Sequence, residues 1–187
     1  MSAIRLRGAT SGTTDVVAAA IAGDGVMTLP SGTGTLATAA YVDAAVAAGG
    51  KVLQVVRATD STLRSTTSTS FVDITGMTVT ITPKISTSAV MLIAVVQARR
   101  AATNEFIFLQ ISDSSNGAIS GAEAAAMGST ATGAANQNAL QTLIGYATPG
   151  TTSATTYKLR FKGLNGGTVE VVNDVVTGQL FAIEVAT

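Results

Sequence analysis

MTVTITP, residues 77–83, decides the fold class. Met77, Val79 and Ile81 alternate with Thr78, Thr80 and Thr82, the period of two that gives a pleated strand one apolar and one hydroxyl-bearing face. Pro83 has no N–H for a ladder and marks the end of the strand. The same alternation returns at residues 157–162, where Tyr157, Leu159 and Phe161 interleave with Lys158, Arg160 and Lys162. Further apolar stretches of strand length lie at 52–56, 71–74, 106–111, 140–146, 169–172 and 180–185. Between them run TDSTLRSTTSTS (59–70), SDSSNG (112–117), TPGTTSATT (148–156) and GLNGG (163–167), rich in residues that favour turns for backbone reasons. Strands at this spacing with no convincing helices between them predict a mainly β protein with an antiparallel β-sandwich, jelly-roll-like, over residues 51–187.

Two segments break the pattern. AVMLIAVV, residues 89–96, is apolar without alternation and reads as a strand buried on both faces, between the sandwich core and a second surface such as another subunit. GAISGAEAAAMGSTATGAANQNA, residues 117–139, is too small and polar for a core strand. It reads as a long loop, with a helical turn open to 123–127.

Residues 1–50 differ in kind. Their apolar residues are spread among Gly, Thr and Ala, too sparsely to build a core alone. Thr38 suits an N-cap, Asp43 sits toward the positive end of a helix dipole, and Gly49-Gly50 provides the stop, which predicts a short helix over 39–48. Tyr41, Val42, Ala45 and Val46 share one face of it at helical spacing. A helix of about three turns is marginal alone. Its small-residue face therefore leans on copies of itself around a symmetry axis, as an extended stem joined to the β head.

Composition narrows the chemistry. Lys+Arg and Asp+Glu are both 11, and only 12% of the 187 residues are charged, against roughly 25% in a typical domain. That leaves no electrostatic footprint for nucleic acid or an anionic membrane. Mean hydropathy is +0.43. The longest apolar run is nevertheless residues 89–96, far below the roughly 20 needed to span a bilayer, so membrane insertion is not expected. The opening MSAIRLRGATSG has no apolar stretch behind its arginines, and the chain is expected to be made in a cytoplasm. With no Cys and no His there are no disulfides, no cysteine nucleophile, no Ser-His-Asp triad and no zinc site of the usual ligands.

What remains is weak as catalysis. Gly32-Thr33-Gly34 and Gly23-Asp24-Gly25 match neither phosphate-loop pattern and read as turns. Asp113 to Gly117 lacks the spaced acids of a calcium loop and reads as a hairpin turn. Asp60, Asp73, Glu105, Glu123, Glu170, Asp174 and Glu184 offer carboxylates, but no spacing pairs two of them for glycoside hydrolysis. No enzyme activity, cofactor or metal is expected. Lys158, Arg160 and Lys162 form a basic row and, with Arg99 and Arg100, are candidates to meet an anionic polysaccharide or an acidic protein patch. A solvated face that discourages edge pairing is the competing reading.

IRLRGATSGTTDVVAAAIAGDGVMTLPSGTGTLAT in the N-terminal segment resembles bacteriophage tail-fibre and virion appendage proteins, on Ile4, Gly8, Ser11, Gly12, Thr13, Thr28, Leu29, Pro30, Gly32, Thr33, Gly34, Thr35 and Leu36. STSFVDITGMTVTITPKISTSAVMLIA at 68–94 and GQLFAIEVAT at 178–187 resemble the heads of such fibres. The resemblance implies a homotrimer located in the virion. Residues 1–50 would attach it to another virion protein of the tail or capsid, with Ile4, Leu6, Leu29 and Leu36 as attachment residues, and the head would face outward to bind a host-surface glycan. One stem unit without shaft repeats leaves a capsid decoration protein as the alternative.

Overall fold

The structure is a computed structural model that describes residues 3–7, 13–17, 52–128 and 135–187. The chain divides into two units, Met1–Thr38 and Ala39–Thr187. In the first, β1 (Ala3–Arg7) and β2 (Thr13–Val17) pair antiparallel, with Ile4 opposite Val16 and Leu6 opposite Thr14. The expected helix at 39–48, with Tyr41, Val42, Ala45 and Val46, lies outside the described residues, as do Leu29, Leu36 and the expected boundary at 50–51.

The second unit is an antiparallel β-sandwich. Its strands are β3 (Val52–Asp60), β4 (Leu63–Thr66), β5 (Val72–Ile81), β6 (Ala89–Arg100), β7 (Phe106–Asp113), β8 (Ala125–Gly128), β9 (Gln137–Ala147), β10 (Thr155–Gly163), β11 (Val169–Val172) and β12 (Gly178–Val185). One sheet has the order β5-β10-β7-β8. The other runs β3-β12-β6-β11-β4, with β9 on the far side of β6. Every pairing is antiparallel. Among the described residues there is no helix.

The alternation in the sequence becomes the core. Met77, Val79 and Ile81 on β5, Ile107, Leu109 and Ile111 on β7, and Tyr157, Leu159 and Phe161 on β10 face inward and are buried. They meet Val90, Leu92, Ala94 and Val96 of β6, with Leu180 and Ala182 of β12. Each large side chain buried this way contributes about 1.5–3 kcal/mol relative to exposure, which gives the sandwich its driving force. Residues 71–74 and 77–82, two segments by sequence, are one strand, β5, bent at Gly76. Gly76 has φ +88°, and the pairing with β10 shifts register beside it, between Lys158 and Arg160. This bulge breaks the period of two.

The second sheet is four ribbons wide. β12 and β11 pair in succession with the same edge of β6, at Ala89 to Val95 and at Ala98 to Arg100, and β3 and β4 pair with them in turn. The interruption at 173–177 is knitted by Asp60, whose carboxylate takes two bonds from Arg64 (2.8 and 3.1 Å) and one from Asn173 Nδ2 (3.0 Å). The Arg64 guanidinium, opposed by burial and aided by Asn173, holds the Asp60 carboxyl below its ordinary value.

One expectation is corrected. Residues 117–139 are not one loop: β8 forms within them, because the backbone of residues 125–128 finds β7, with Phe106 opposite Gly128. Strand pairing replaces the helical turn considered at 123–127. β6 turns one face to the core and the other to the outside of the sandwich. Val90, Leu92, Ala94, Val96 and Ala98 are fully enclosed, whereas Met91, Ile93 and Val95 point to the outer face and are half-buried.

Candidate functional site

β7, β9 and β10 end together at one end of the sandwich. Their termini enclose a cleft of about 330 Å³ lined by Asp113, Ser114, Ile119, Ala147, Thr148, Pro149, Thr155 and Tyr157. Two of the hydroxyl-rich connections, 112–117 and 148–156, supply most of it. The volume is at the small end of ligand sites.

Each wall has a local cause. Asp113 closes the hairpin: its Oδ1 accepts the backbone N–H groups of Ser115 and Gly117, both at 2.8 Å, and Asn116 takes the left-handed conformation at φ 72°. This is the turn that the sequence predicts. The next segment ties the sheets together. Ile119 N donates to Ile111 O at 2.9 Å on one side, and Tyr146 N donates to Ser120 O at 3.0 Å on the other. Gly145 permits that approach, since a Cβ there would stand 2.9 Å from Ile119 Cγ2.

Tyr157 forms the polar floor. It pairs across the strands with Asp113, so both side chains face inward at the mouth of the sandwich. The ring is 2% exposed, and the hydroxyl has no hydrogen-bond partner among the described residues. Burial, aided by the Asp113 charge, pushes its pKa up, so the phenol stays protonated and able to donate. Ile119, Ala147 and Pro149 supply apolar wall; Ser114, Thr148 and Thr155 supply hydroxyls. Such a mixture suits a small polyol, whose C–H face packs on the apolar wall while its hydroxyls bond to Tyr157 and the threonines.

The five candidate surface cations do not form one patch. Lys158, Arg160 and Lys162 lie on the outer face of the four-stranded sheet, on a strand paired on both sides, so the edge-protecting reading does not apply. Asp73 bonds Lys158 Nζ and Arg160 Nε, each at 2.9 Å. Lys162 Nζ stands 5.0 Å from the Phe71 ring centroid and 5.4 Å from that of Phe108, a cation–π arrangement. Arg99 is on the other sheet, paired with Glu170. Arg100 is 1% exposed and bonded to Gln137, which corrects its assignment as a surface residue.

Glu105 and Glu184 are likewise each taken up singly. Glu105 accepts four backbone N–H groups, from Phe106, Leu164, Asn165 and Gly167. Glu184 accepts from the backbone of Lys84 and Ile85, from Ser88 Oγ and from Gln54 Nε2. The connection at 59–70 is not part of the cleft. It contains β4 and meets the opposite end of β10, where Gly163 N donates to Ser68 O.

No protein-family model and no curated protein sequence matches the chain. Among solved structures it is similar to the D431N mutant VP2 protein of infectious bursal disease virus in derived T=1 particles, at 14% identity and a TM-score of 0.39. The match covers 96% of this chain and 44% of that one, so the chain spans less than half the length of that protein.

Proposed function

We propose that this chain is a non-enzymatic structural protein of a bacteriophage virion: a homotrimeric fibre or spike, held to the particle by its N-terminal segment, whose β-sandwich head binds a host-surface glycan. The virion role rests on the resemblance of residues 4–36, 68–94 and 178–187 to appendage proteins. The glycan role is carried by one observation, the cleft in which two hydroxyl-rich connections converge on the unpartnered hydroxyl of the buried Tyr157. A site this small holds a short sugar weakly. Three such sites per trimer and many trimers per particle would raise avidity without any single strong contact.

The second reading is a capsid decoration protein, favoured by the apolar outer face of the second sheet, which suits burial against a neighbour. Locating the chain in intact particles by cryo-electron microscopy separates the two. Density at the tail tip or baseplate supports host attachment; density spread over the capsid lattice overturns it in favour of decoration.

A further inference from the structure

The outer face of the β3-β12-β6-β9 sheet changes character along its length. Near the start of β6, register brings Val55, Ile183, Met91 and Tyr146 into one row, and Phe181, Ile93 and Ile144, with Arg57 at the β3 edge, into the next. Val55 is 56% exposed, Ile144 56% and Tyr146 53%. Toward the end of β6 the rows become mixed, with Gln179, Thr142, Gln97 and the Arg99–Glu170 pair beside Val95 and Leu140, the latter 61% exposed.

We infer that this face is the contact between copies of the chain within the head, an inference that rests on the oligomeric reading above. Three observations favour a second copy over a foreign partner. The first is area: four ribbons at about 4.8 Å spacing along the twelve residues of β6 give a face of roughly 800 Å² in plan. That is what each partner brings to a standard stable interface, about 800 Å². The second is charge. Arg99 is neutralised by Glu170 in the same sheet, and Arg57, which keeps its charge while bonding the neutral Gln179 Oε1 at 3.5 Å, stands on the edge strand β3, so the centre of the face asks for no oppositely charged surface and can meet its own copy. The third is position: the apolar end carries Val52, 59% exposed, the first residue of β3 and the point where the N-terminal segment enters the head. Copies joined through that segment bring these ends together first.

The test uses the absence of native cysteine. Full-length Ile144→Cys and, as the control on the outer face of the other sheet, Thr78→Cys are labelled with a maleimide while the mass in solution is measured. The expected result is a multiple of 18.7 kDa with Cys at 144 labelled at least about tenfold more slowly than Cys at 78, the difference vanishing in denaturant. An oligomer in which both positions react equally fast overturns this face as the contact and leaves the oligomer standing. Slow labelling of position 144 in a sample of 18.7 kDa means that the chain covers its own face, and overturns the inference. Fast labelling in a monomer overturns both the face and the oligomer.

Discussion

Glu105 Oε1 accepts the backbone N–H of Leu164 at 2.6 Å, across 59 residues of chain. The same carboxylate takes Asn165 N at 2.9 Å, Phe106 N at 3.0 Å and, through Oε2, Gly167 N at 2.6 Å. Among the described residues, a buried anion thus closes the GLNGG connection with main-chain dipoles and no cation. Glu105→Gln keeps the shape but turns one acceptor into a donor facing N–H groups. Hydrogen bonds to charged groups are worth about 1.5–3 kcal/mol each, and the variant should lose roughly 2–4 kcal/mol. Urea unfolding should show a lower midpoint at unchanged slope.

Acid should weaken the head. For Glu105 and Glu184, burial raises the pKa, but the hydrogen bonds outweigh it and hold both carboxyls below the ordinary value of 4.5. A group with a depressed folded pKa contributes stability that is present above the unfolded value and lost as pH falls through the folded one. Thermal midpoints should therefore hold near neutrality and drop below the ordinary Glu value. Glu105→Gln should flatten that acid limb; a midpoint independent of pH across the range would refute the assignment.

Two glycines should rank in a fixed order. Gly76 combines φ +88° with Asp60 Oδ1 only 2.9 Å from an added Cβ, whereas Gly150, at φ +66°, has open space. Gly150→Ala should cost about 1 kcal/mol from backbone strain alone. Gly76→Ala should cost more, because it also displaces the carboxylate that holds Arg64 and Asn173. Denaturant midpoints of the two variants check the order.

Core packing predicts a large single loss. Leu92 is fully buried at the centre of β6, and Leu92→Ala should cost about 2–5 kcal/mol. Thr78→Ala, exposed on β5, should stay within about 0.5 kcal/mol of the parent in the same unfolding assay.

Tyr157→Phe tests the cleft. The hydroxyl has no partner among the described residues, so stability should stay within about 0.5 kcal/mol of the parent. Loss of one hydrogen bond, about 1 kcal/mol, should weaken binding of a host-surface oligosaccharide about fivefold by calorimetry. Equal affinity in parent and variant would remove Tyr157 from the site.

The strands that make up the sandwich were legible where one face is buried and the other wet, because burial imposes the period of two on residues such as Met77 to Thr82 and Tyr157 to Lys162. β8 was hidden because its pairing with β7 is a backbone event that leaves little trace in AAMG. The connections 112–117 and 148–156 could be picked out by composition, yet their meeting at one cleft depends on the Tyr157–Asp113 register, which no local pattern encodes. The same holds for Glu105: sequence offers a carboxylate, and only the fold brings 164–167 to it. The basic row at 158–162 was readable, but the carboxylate that bonds Lys158 and Arg160 came from Asp73, on a neighbouring strand.

The first strand of the sandwich, β3, pairs with the last, β12, with Asp60 opposite Gly178. During synthesis on the ribosome, β3 and the adjoining edge of β6 therefore wait, unpaired, until almost all of the head has emerged. Such long-range closure slows folding and exposes open strand edges in the interval, when nascent chains on neighbouring ribosomes can pair with one another. Yield should thus respond to the rate of translation and to chaperone supply more than the finished sandwich would suggest.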